Sequence, residues 1–180
     1  MSLKESAYSV SVGYNSKRDT TRNLKYIGCT ASGIDKYGWL LGADESLIQG
    51  CTIMDCERGI HMSWANDSII TDNSIKDISK FGITVADSSH TCHNVTITNN
   101  MLRNWGSTSM GINIYNIYDS LIFSNQLRTN ANIGIGGSNS DNGNLVLFNA
   151  FEDVTVELWQ VGDRVNCTGY DIWNFYEGVS

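Results

Sequence analysis

Two carboxylates and two cations recur at one fixed spacing in the chain, and residues of these types could act together on a sugar. The step along the sequence from Asp55 to Asp77 equals the step from Arg58 to Lys80. Two carboxylates about 5 Å apart are the arrangement of a retaining glycosidase, and a wider pair suits an inverting one. Carboxylates beside cations can instead hold Ca²⁺ and supply the base for β-elimination of a uronate. The expected catalytic residues are these four and the neighbouring His61.

A second set of residues is expected to bind the substrate. The set comprises Glu57, Thr84, Arg103, Trp105 and Asn113. Thr84 and Asn113 take outward positions in their repeats, the indole of Trp105 could stack on a sugar ring, and Arg128 is expected to stack beyond Arg103. Stacked Asp, Lys and Arg side chains on neighbouring strands are also explained as ordinary charge pairing on a solvated face, and this alternative stays open.

Asparagines that recur at a nearly constant interval identify the elements that must position these side chains. The series is Asn73, Asn100, Asn125, Asn149 and Asn174, preceded in the same slot by Cys29 and Cys51. A period of this size is typical of a solenoid. Asn suits this slot because it tolerates the left-handed backbone of a sharp turn, and because stacked amides can bond to each other between coils.

Each repeat also contains a glycine followed by alternating apolar residues, which predicts a strand with one buried face. These strands begin at Gly59, Gly82, Gly111 and Gly134, and polar turns follow around Asp67, Asp87, Asp119 and Asp141. Three short strands and three turns per repeat predict one coil of a parallel β-helix. About seven coils at roughly 4.8 Å each would give a rod on the order of 34 Å long.

A leucine-rich repeat is the main rival fold, because Leu121 and Leu127 flank Asn125 in a similar pattern. That motif requires an apolar residue five positions before the Asn. The corresponding positions hold Ser46, Ser68, Val95, Ser120 and Asn144. Most of these residues are polar, so the β-helix is preferred.

From about Leu24 to Tyr176 the pattern resembles the right-handed parallel β-helix repeats of the pectin-lyase-like superfamily. The resemblance implies an all-β, right-handed, single-stranded parallel β-helix. It also implies handling of long, often acidic polysaccharides along the outside of the rod, as in pectate lyases, polygalacturonases and phage tailspikes. The Gly-His-Gly and Asn-Thr-Asp segments of polygalacturonases are absent, and the Asp-Pro-His-Glu motif of alginate epimerases is impossible in a chain without Pro. The resemblance therefore leaves the reaction open.

At 180 residues the chain is expected to form one domain. Residues 1–23 would be an N-terminal segment forming an incomplete first coil, and residues 24–180 the β-helix, as a fragment of a longer protein. If the resemblance holds, the parent protein is secreted, on the cell surface or part of a virion. The exposed strand edges at the rod ends predict contact with other copies or with parent-chain domains.

The composition and net charge of the sequence limit which partners and cofactors are expected. The net charge of −7 argues against nucleic acid, and no apolar run in the sequence is long enough to predict a membrane span. No cofactor or resident metal is expected, except Ca²⁺ if the protein is a lyase. The five cysteines lack C-x-x-C spacing and are expected to be unpaired, with a disulfide between successive coils as the alternative.

The leading functional hypothesis is a carbohydrate-active β-helix segment, bacterial or phage, that binds a polysaccharide or cleaves it as a lyase or glycoside hydrolase. The alternative is a non-catalytic structural or adhesive segment of a tail fibre, tailspike or cell-surface protein. Release of unsaturated or reducing sugar from anionic polysaccharides would distinguish these two classes of protein.

If Asp77 is a general acid or base, Asp77→Asn should lower sugar turnover on the order of a hundredfold. The melting temperature should hardly change, because an exposed ion pair contributes only about 0–1 kcal/mol. Sugar release and thermal melting measure the two effects. Full activity in both Asp55→Asn and Asp77→Asn would exclude this pair as the catalytic site.

Overall fold

The computed structural model describes residues 8–12, 22–86, 90–106, 110–129, 133–137, 143–154, 156–159 and 164–169, with side chains within 22–154. The regular structure in these ranges is β-strand, and no described helix is long and apolar enough to cross a membrane. The strands are β1 (Tyr8–Val12), β2 (Lys25–Ile27), β3 (Thr30–Leu41), β4 (Leu47–Gln49), β5 (Thr52–Met62), β6 (Ile69–Thr71), β7 (Ser74–Ile78), β8 (Ile83–Val85), β9 (Cys92–His93), β10 (Thr96–Thr98), β11 (Met101–Trp105), β12 (Met110–Ile114), β13 (Ile117–Tyr118), β14 (Leu121–Phe123), β15 (Gln126–Arg128), β16 (Ile133–Gly136), β17 (Leu145–Glu152), β18 (Val156–Trp159) and β19 (Arg164–Gly169).

The strands stack in parallel into three faces, which confirms the predicted parallel β-helix. Face A contains β2, β4, β6, β10, β14 and the first part of β17. Face B contains the first parts of β3 and β5, then β7, β11, β15 and the end of β17. Face C contains β1, the ends of β3 and β5, then β8, β12, β16 and β18. β19 pairs along β17, and β9 pairs with β13 in a small separate ladder.

About five turns lie between Lys25 and Gly136, and the structure describes them except at residues 87–89, 107–109 and 130–132. The expectation of about seven was too high because it counted every recurrence of the Asn or Cys slot as a full coil. The turn that holds Asn149 is only partly described, and Asn174 lies outside the described residues.

The core is a set of aliphatic columns that run along the rod. On face C, Ile60, Ile83, Ile112 and Ile135 occupy equivalent positions in consecutive turns and are fully buried. Equivalent columns follow faces A and B. Burying one such side chain contributes roughly 1.5–3 kcal/mol, so each turn is stabilised mainly by its neighbours.

An amide ladder crosses this apolar core, as predicted, and it is fully hydrogen-bonded at its described rungs. We call Asn73, Asn100, Asn125 and Asn149 the interior Asn ladder; each is at most 1% exposed. Asn100 donates from its backbone N and from Nδ2 to Oδ1 of Asn125, both at 3.0 Å, and Asn125 repeats this pattern with Asn149 at 2.9 Å. Each Nδ2 also reaches a main-chain carbonyl of an earlier turn. The ladder therefore satisfies its own buried polar groups.

The left-handed backbone lies one residue earlier than predicted. Asp72, Asn99, Ser124 and Phe148 have φ of 58°, 54°, 52° and 53°, whereas the ladder asparagines that follow them have no positive φ. The left-handed residue turns the chain, and the next residue can then direct its side chain into the core. Among the predicted turn residues, Asp67 and Asp119 do have positive φ, and Asp87 and Asp141 lie outside the described residues.

A second polar ladder lies at the positions that argued against a leucine-rich repeat. Ser46 N donates to Ser68 Oγ at 3.0 Å, and Ser120 N donates to Asn144 Oδ1 at 3.0 Å. Val95 N donates to Ser120 Oγ at 2.9 Å, so the ladder also accommodates an apolar residue. The sequence pattern showed that most of these positions are polar. It did not show that the residues form hydrogen bonds to the equivalent residues of the next turn.

The repeated glycines mark a corner where successive turns approach closely. A Cβ at Gly82 would lie 2.7 Å from the carbonyl O of Gly111 and 2.6 Å from Cδ2 of Leu102. Gly38, Gly59 and Gly111 are restricted in the same way. A side chain at this corner would separate the turns, which explains why glycine precedes the face C strands.

Asn125→Ala should lower the free energy of unfolding by roughly 1–3 kcal/mol, because the buried donors of Asn100 and the carbonyl of Ile97 lose their partner. Denaturant unfolding measures the change. The control is Asn113→Ala, at an outward and only half-buried position, which should cost much less. Equal costs at both positions would show that the ladder bonds contribute nothing. Asn139, which the sequence places in a loop, lies outside the described residues.

Candidate functional site

Glu57, Arg58 and Lys80 form a charged cluster at the corner between faces B and C. Lys80 Nζ lies 2.9 Å from Glu57 Oε1, and Arg58 Nε lies 3.7 Å from the same oxygen. The predicted stacking of Lys80 on Arg58 agrees with the backbone register, because Lys80 N donates to the carbonyl of Glu57 at 2.8 Å, yet the Lys80 ammonium contacts Glu57. Cys56 pairs with Ile78 but Ile60 pairs with Ile83, so the later turn contains one more residue at this corner. The additional residue comes after Lys80, because Gly59 N donates to the carbonyl of Phe81 at 3.0 Å and Gly59 is thereby aligned with Gly82.

Arg58 is held between two aromatic rings. Its guanidinium carbon lies 5.3 Å from the centroid of Tyr37 and 5.4 Å from that of Phe81, distances suited to a cation–π interaction. Its Nε is buried and has no hydrogen-bond partner among the described residues. The aromatic contacts therefore position Arg58 more than the carboxylate does.

Among the predicted site carboxylates, Glu57 is the one whose ionised form is most clearly stabilised by neighbouring residues. The hydrogen bond from Lys80 lowers the pKa of Glu57, and the positive charges of Lys80, Arg58 and Lys36 add to this effect against a smaller opposing contribution from burial. An ionised carboxylate held in this way suits charge pairing. It does not suit a general acid, which must be protonated at working pH.

Asp55 and Asp77 stack in consecutive turns, but both belong to the backbone of a corner. Their φ values are 53° and 54°, and Asn104 follows at the same corner with 53°. Asp77 Oδ1 accepts a hydrogen bond from Asn104 Nδ2 at 3.0 Å, and Asp55 Oδ2 accepts one from Ser32 Oγ at 3.4 Å. Asp and Asn tolerate the left-handed backbone better than other non-glycine residues. The corner accounts for both residue types without a catalytic role.

Three residues expected to face the substrate are buried. His61, Thr84 and Trp105 are 4%, 3% and 4% exposed. Trp105 Nε1 donates to the carbonyl of Ile133 at 3.1 Å and the side chain is part of the core, so the expectation that it stacks on a sugar is wrong. His61 and Thr84 do align across β5 and β8 as predicted, yet neither offers an accessible surface. Alternation with period 2 predicts on which face of a strand a side chain lies. It does not predict whether other residues bury that face.

Face B carries three stacked cations, which we call the cation row: Lys76, Arg103 and Arg128. The predicted stacking of Arg128 on Arg103 is confirmed, and Lys76 was missed. Arg128 pairs with Glu152 at 3.2 Å and Lys76 with Asp77 at 3.8 Å. Arg103, between them, has no ion pair within the described part of the chain. Each cation follows its interior Asn by the same short step, a regularity in the sequence that could have revealed the row.

The cation row is not explained by the stability of the fold. Like charges directly opposite each other on neighbouring strands are destabilising. Lys76 is paired with Asp77, and Arg128 with Glu152 and Asp153, so the repulsion is least compensated at Arg103. An anionic ligand would offset the repulsion.

Comparison with known protein families gives one match that covers nearly the whole chain. The profile described as "Periplasmic copper-binding protein (NosD)" matches residues 2–167. No curated protein matches the chain significantly.

Because the family description names copper, we asked whether the described side chains could bind this metal. Few potential copper ligands lie close to one another. Proteins bind copper mainly through imidazole and sulfur groups. Within the described ranges, no three His, Cys, Asp or Glu side chains come together. The histidines each lie against an aromatic ring, in the pairs His61–Tyr37, His90–Trp64 and His93–Tyr118. The described residues therefore do not fit a copper centre with three or more ligands of these types.

Two thiols do come together at the start of the interior Asn ladder. Cys29 and Cys51, which we call the thiol pair, hold the ladder slot in consecutive turns. They are free thiols, as is Cys56, whereas Cys92 Sγ accepts a hydrogen bond from Ala65 N at 3.3 Å and the side chain of Cys167 lies outside the described residues. Burial raises the pKa of Cys51, and contact with the Cys29 thiol raises it further. Two sulfurs fit a soft ion that accepts two ligands.

Lys80→Met should raise the pKa of Glu57 toward its ordinary value of about 4.3, because its strongest stabilising partner is removed. The pKa of Glu57 is lower in the folded protein than in the unfolded chain. The Glu57–Lys80 pair therefore stabilises the folded protein at any pH above the unfolded-state pKa, and this stabilisation is lost as the pH falls through the folded-state pKa. NMR titration of the carboxyl carbon measures the shift. Lys76→Met is the matched control and should leave the pKa of Glu57 unchanged.

Proposed function

The chain belongs to the NosD family of periplasmic proteins, which are right-handed parallel β-helices, and on this premise we propose that it binds an anionic polysaccharide along face B. The observation that carries the proposal is the cation row, Lys76, Arg103 and Arg128, in register on three consecutive turns. The ligand would lie along the rod axis.

The spacing of the row suits a linear polyanion. Neighbouring strands are about 4.8 Å apart, so the row offers one positive charge per turn along a straight line. A polysaccharide with a carboxylate or sulfate on successive sugars can place its charges along that line. Ser74, Met101 and Gln126 form a parallel uncharged row on the same face, against which sugar rings can lie.

The electrostatics predict binding of moderate strength with a clear dependence on salt. The negative net charge repels a polyanion at long range, whereas the cation row attracts it locally. Screening by salt weakens interactions between exposed charges. Since guanidinium groups can bind carboxylate or sulfate through two parallel hydrogen bonds, Arg103 and Arg128 should contribute most.

The proposal is for binding rather than cleavage. The expected acid–base pair, Asp55 and Asp77, is explained by the corner that these residues form, and Glu57 is tied to Lys80. His61 and Thr84 are buried away from any ligand on face B. The predicted residues therefore give no argument in favour of a lyase or hydrolase activity.

Arg103→Gln should weaken binding of polygalacturonate about fivefold, as expected when an interaction of about 1 kcal/mol is lost. Its melting temperature should stay the same or rise slightly, because the variant relieves repulsion within the row. Isothermal titration at two salt concentrations measures the affinity, with neutral dextran as the ligand control. Lys25→Gln removes an exposed cation from face A and is the matched protein control.

Equal weakening by Arg103→Gln and Lys25→Gln would mean that only net charge matters, and would contradict the proposed site. If the wild-type protein binds none of several anionic polysaccharides, the structural or adhesive alternative takes its place. Release of unsaturated or reducing sugar would instead show an enzyme, and Asp77→Asn would then test the expected carboxylate.

A further inference from the structure

Face A presents an apolar surface to solvent. From β4 to β17, each of its strands buries a central aliphatic residue in the core and directs the two flanking residues outward. The outward residues form two rows along the rod, which we call outer row 1 (Leu47, Ile69, Thr96, Leu121 and Leu145) and outer row 2 (Gln49, Thr71, Thr98, Phe123 and Leu147). Most of these residues are large and apolar, and none is charged.

The large apolar side chains that are most exposed in the described ranges lie mainly on this face. Ile27, Ile69 and Leu145 are 59%, 42% and 37% exposed, and Phe148, directly after outer row 2, is 53% exposed. Single exposed apolar residues are normal, but a continuous apolar patch marks a surface that contacts another molecule. Face A is therefore a candidate interaction surface.

The order of residues in outer row 1 favours a second copy of this chain as the partner. The order is apolar, apolar, Thr, apolar, apolar, and it is the same in both directions along the rod. When two copies face each other with antiparallel rods, a two-fold axis passes beside Thr96. Ile69 then lies opposite Leu121 of the second copy, and Leu47 lies opposite Leu145 of the second copy. Apolar residues meet apolar residues, as a self-complementary two-fold interface requires.

The polar residues of outer row 2 are compatible with such a contact. Gln49 Nε2 donates to Asp72 Oδ2 at 3.4 Å, and Thr71 Oγ1 donates to the same oxygen at 3.1 Å. Both side chains can keep these hydrogen bonds when a second copy covers them. Burying them therefore costs less than burying polar groups that lack a partner.

The distribution of charge also favours face A as the contact between copies. Each copy has a net charge of −7, so two copies repel each other at long range. The two outer rows bring no further charge into the contact. Lys25 continues outer row 1 one turn before Leu47, so the uncharged surface ends there.

We propose that two copies of this chain associate side by side through face A, with antiparallel rods. The two outer rows cover an area of roughly 24 Å by 10 Å on five strands. This area is smaller than the roughly 800 Å² per partner of a typical stable complex, so the dimer dissociates on dilution. Face B with its cation row lies on another side of the rod and is not part of this contact.

Sedimentation velocity at protein concentrations from about 5 to 500 µM tests the proposal, because a small apolar interface is expected to dissociate in this range. The wild type should change from monomer to dimer as the concentration rises. Added NaCl should favour the dimer, because it screens the repulsion between two acidic chains. The same salt should weaken polysaccharide binding, so the two proposals predict opposite responses.

Ile69→Lys should weaken the dimer on the order of tenfold or more, because it places a charge in an apolar contact. The variant should still fold, since Lys25 occupies the same row in an earlier turn. Met101→Lys changes an outward, partly buried residue of face B and is the matched control. It should form the dimer as the wild type does.

Leu121→Glu tests the antiparallel arrangement. It should weaken the dimer by itself, whereas an equimolar mixture with Ile69→Lys should restore it, because these two positions face each other across the two-fold axis. Circular dichroism checks that both variants fold, and Leu145→Lys with Leu47→Glu is the equivalent pair if one does not.

A wild type that remains monomeric at the highest concentration would overturn the proposal and would assign face A to a different partner. Equal effects of Ile69→Lys and Met101→Lys would also overturn it. Failure of the mixture to restore the dimer would show that the antiparallel arrangement is wrong. None of these results depends on polysaccharide binding.

Discussion

The structure depends on the need to satisfy polar groups inside an apolar core. Each amide of the interior Asn ladder is buried, and its partner lies in the next turn. A hydrogen bond of this kind contributes modestly when made, but a buried amide left without one costs considerably more. The ladder therefore fixes the register of successive turns, and the aliphatic columns on the three faces follow from that register.

Differences in turn length are absorbed at the corners rather than in the ladder. The step between consecutive ladder slots is shorter from Cys51 to Asn73 than from Asn73 to Asn100, yet the strands beside them stay aligned. The corner between Cys56 and Ile60 shows how, since the next turn fits an additional residue there. Corner positions need a left-handed backbone or no side chain, so Asp, Asn and Gly collect at them. Many polar residues of a solenoid are therefore explained by their position at corners, where the chain changes direction.

Because polar residues are needed at corners and in the ladders, a polar or charged residue elsewhere can be recognised as one that the fold does not require. The cation row lies on strands, where like charges oppose folding, and not at corners where polar residues are needed. The apolar outer rows of face A are also not required by the fold, which needs apolar residues only in the core. Such departures are expected where a protein binds something. The two features lie on different faces of the rod.

The sequence by itself determined the parallel β-helix, the interior ladder and the stacking of Asp55 on Asp77 and of Arg103 on Arg128, because a fixed period places equivalent residues over one another. It did not determine which stacked residues are accessible. Trp105 and His61 have suitable spacing for a site, but only the packing of the turns decides that they are buried. Nor did it determine that the Lys80 ammonium contacts Glu57, because the repeat predicts the register of the backbone and not the direction of a long side chain. Tertiary structure decided these points because burial and corner geometry depend on neighbouring turns, whereas the repeat reports only the order of residues along one chain.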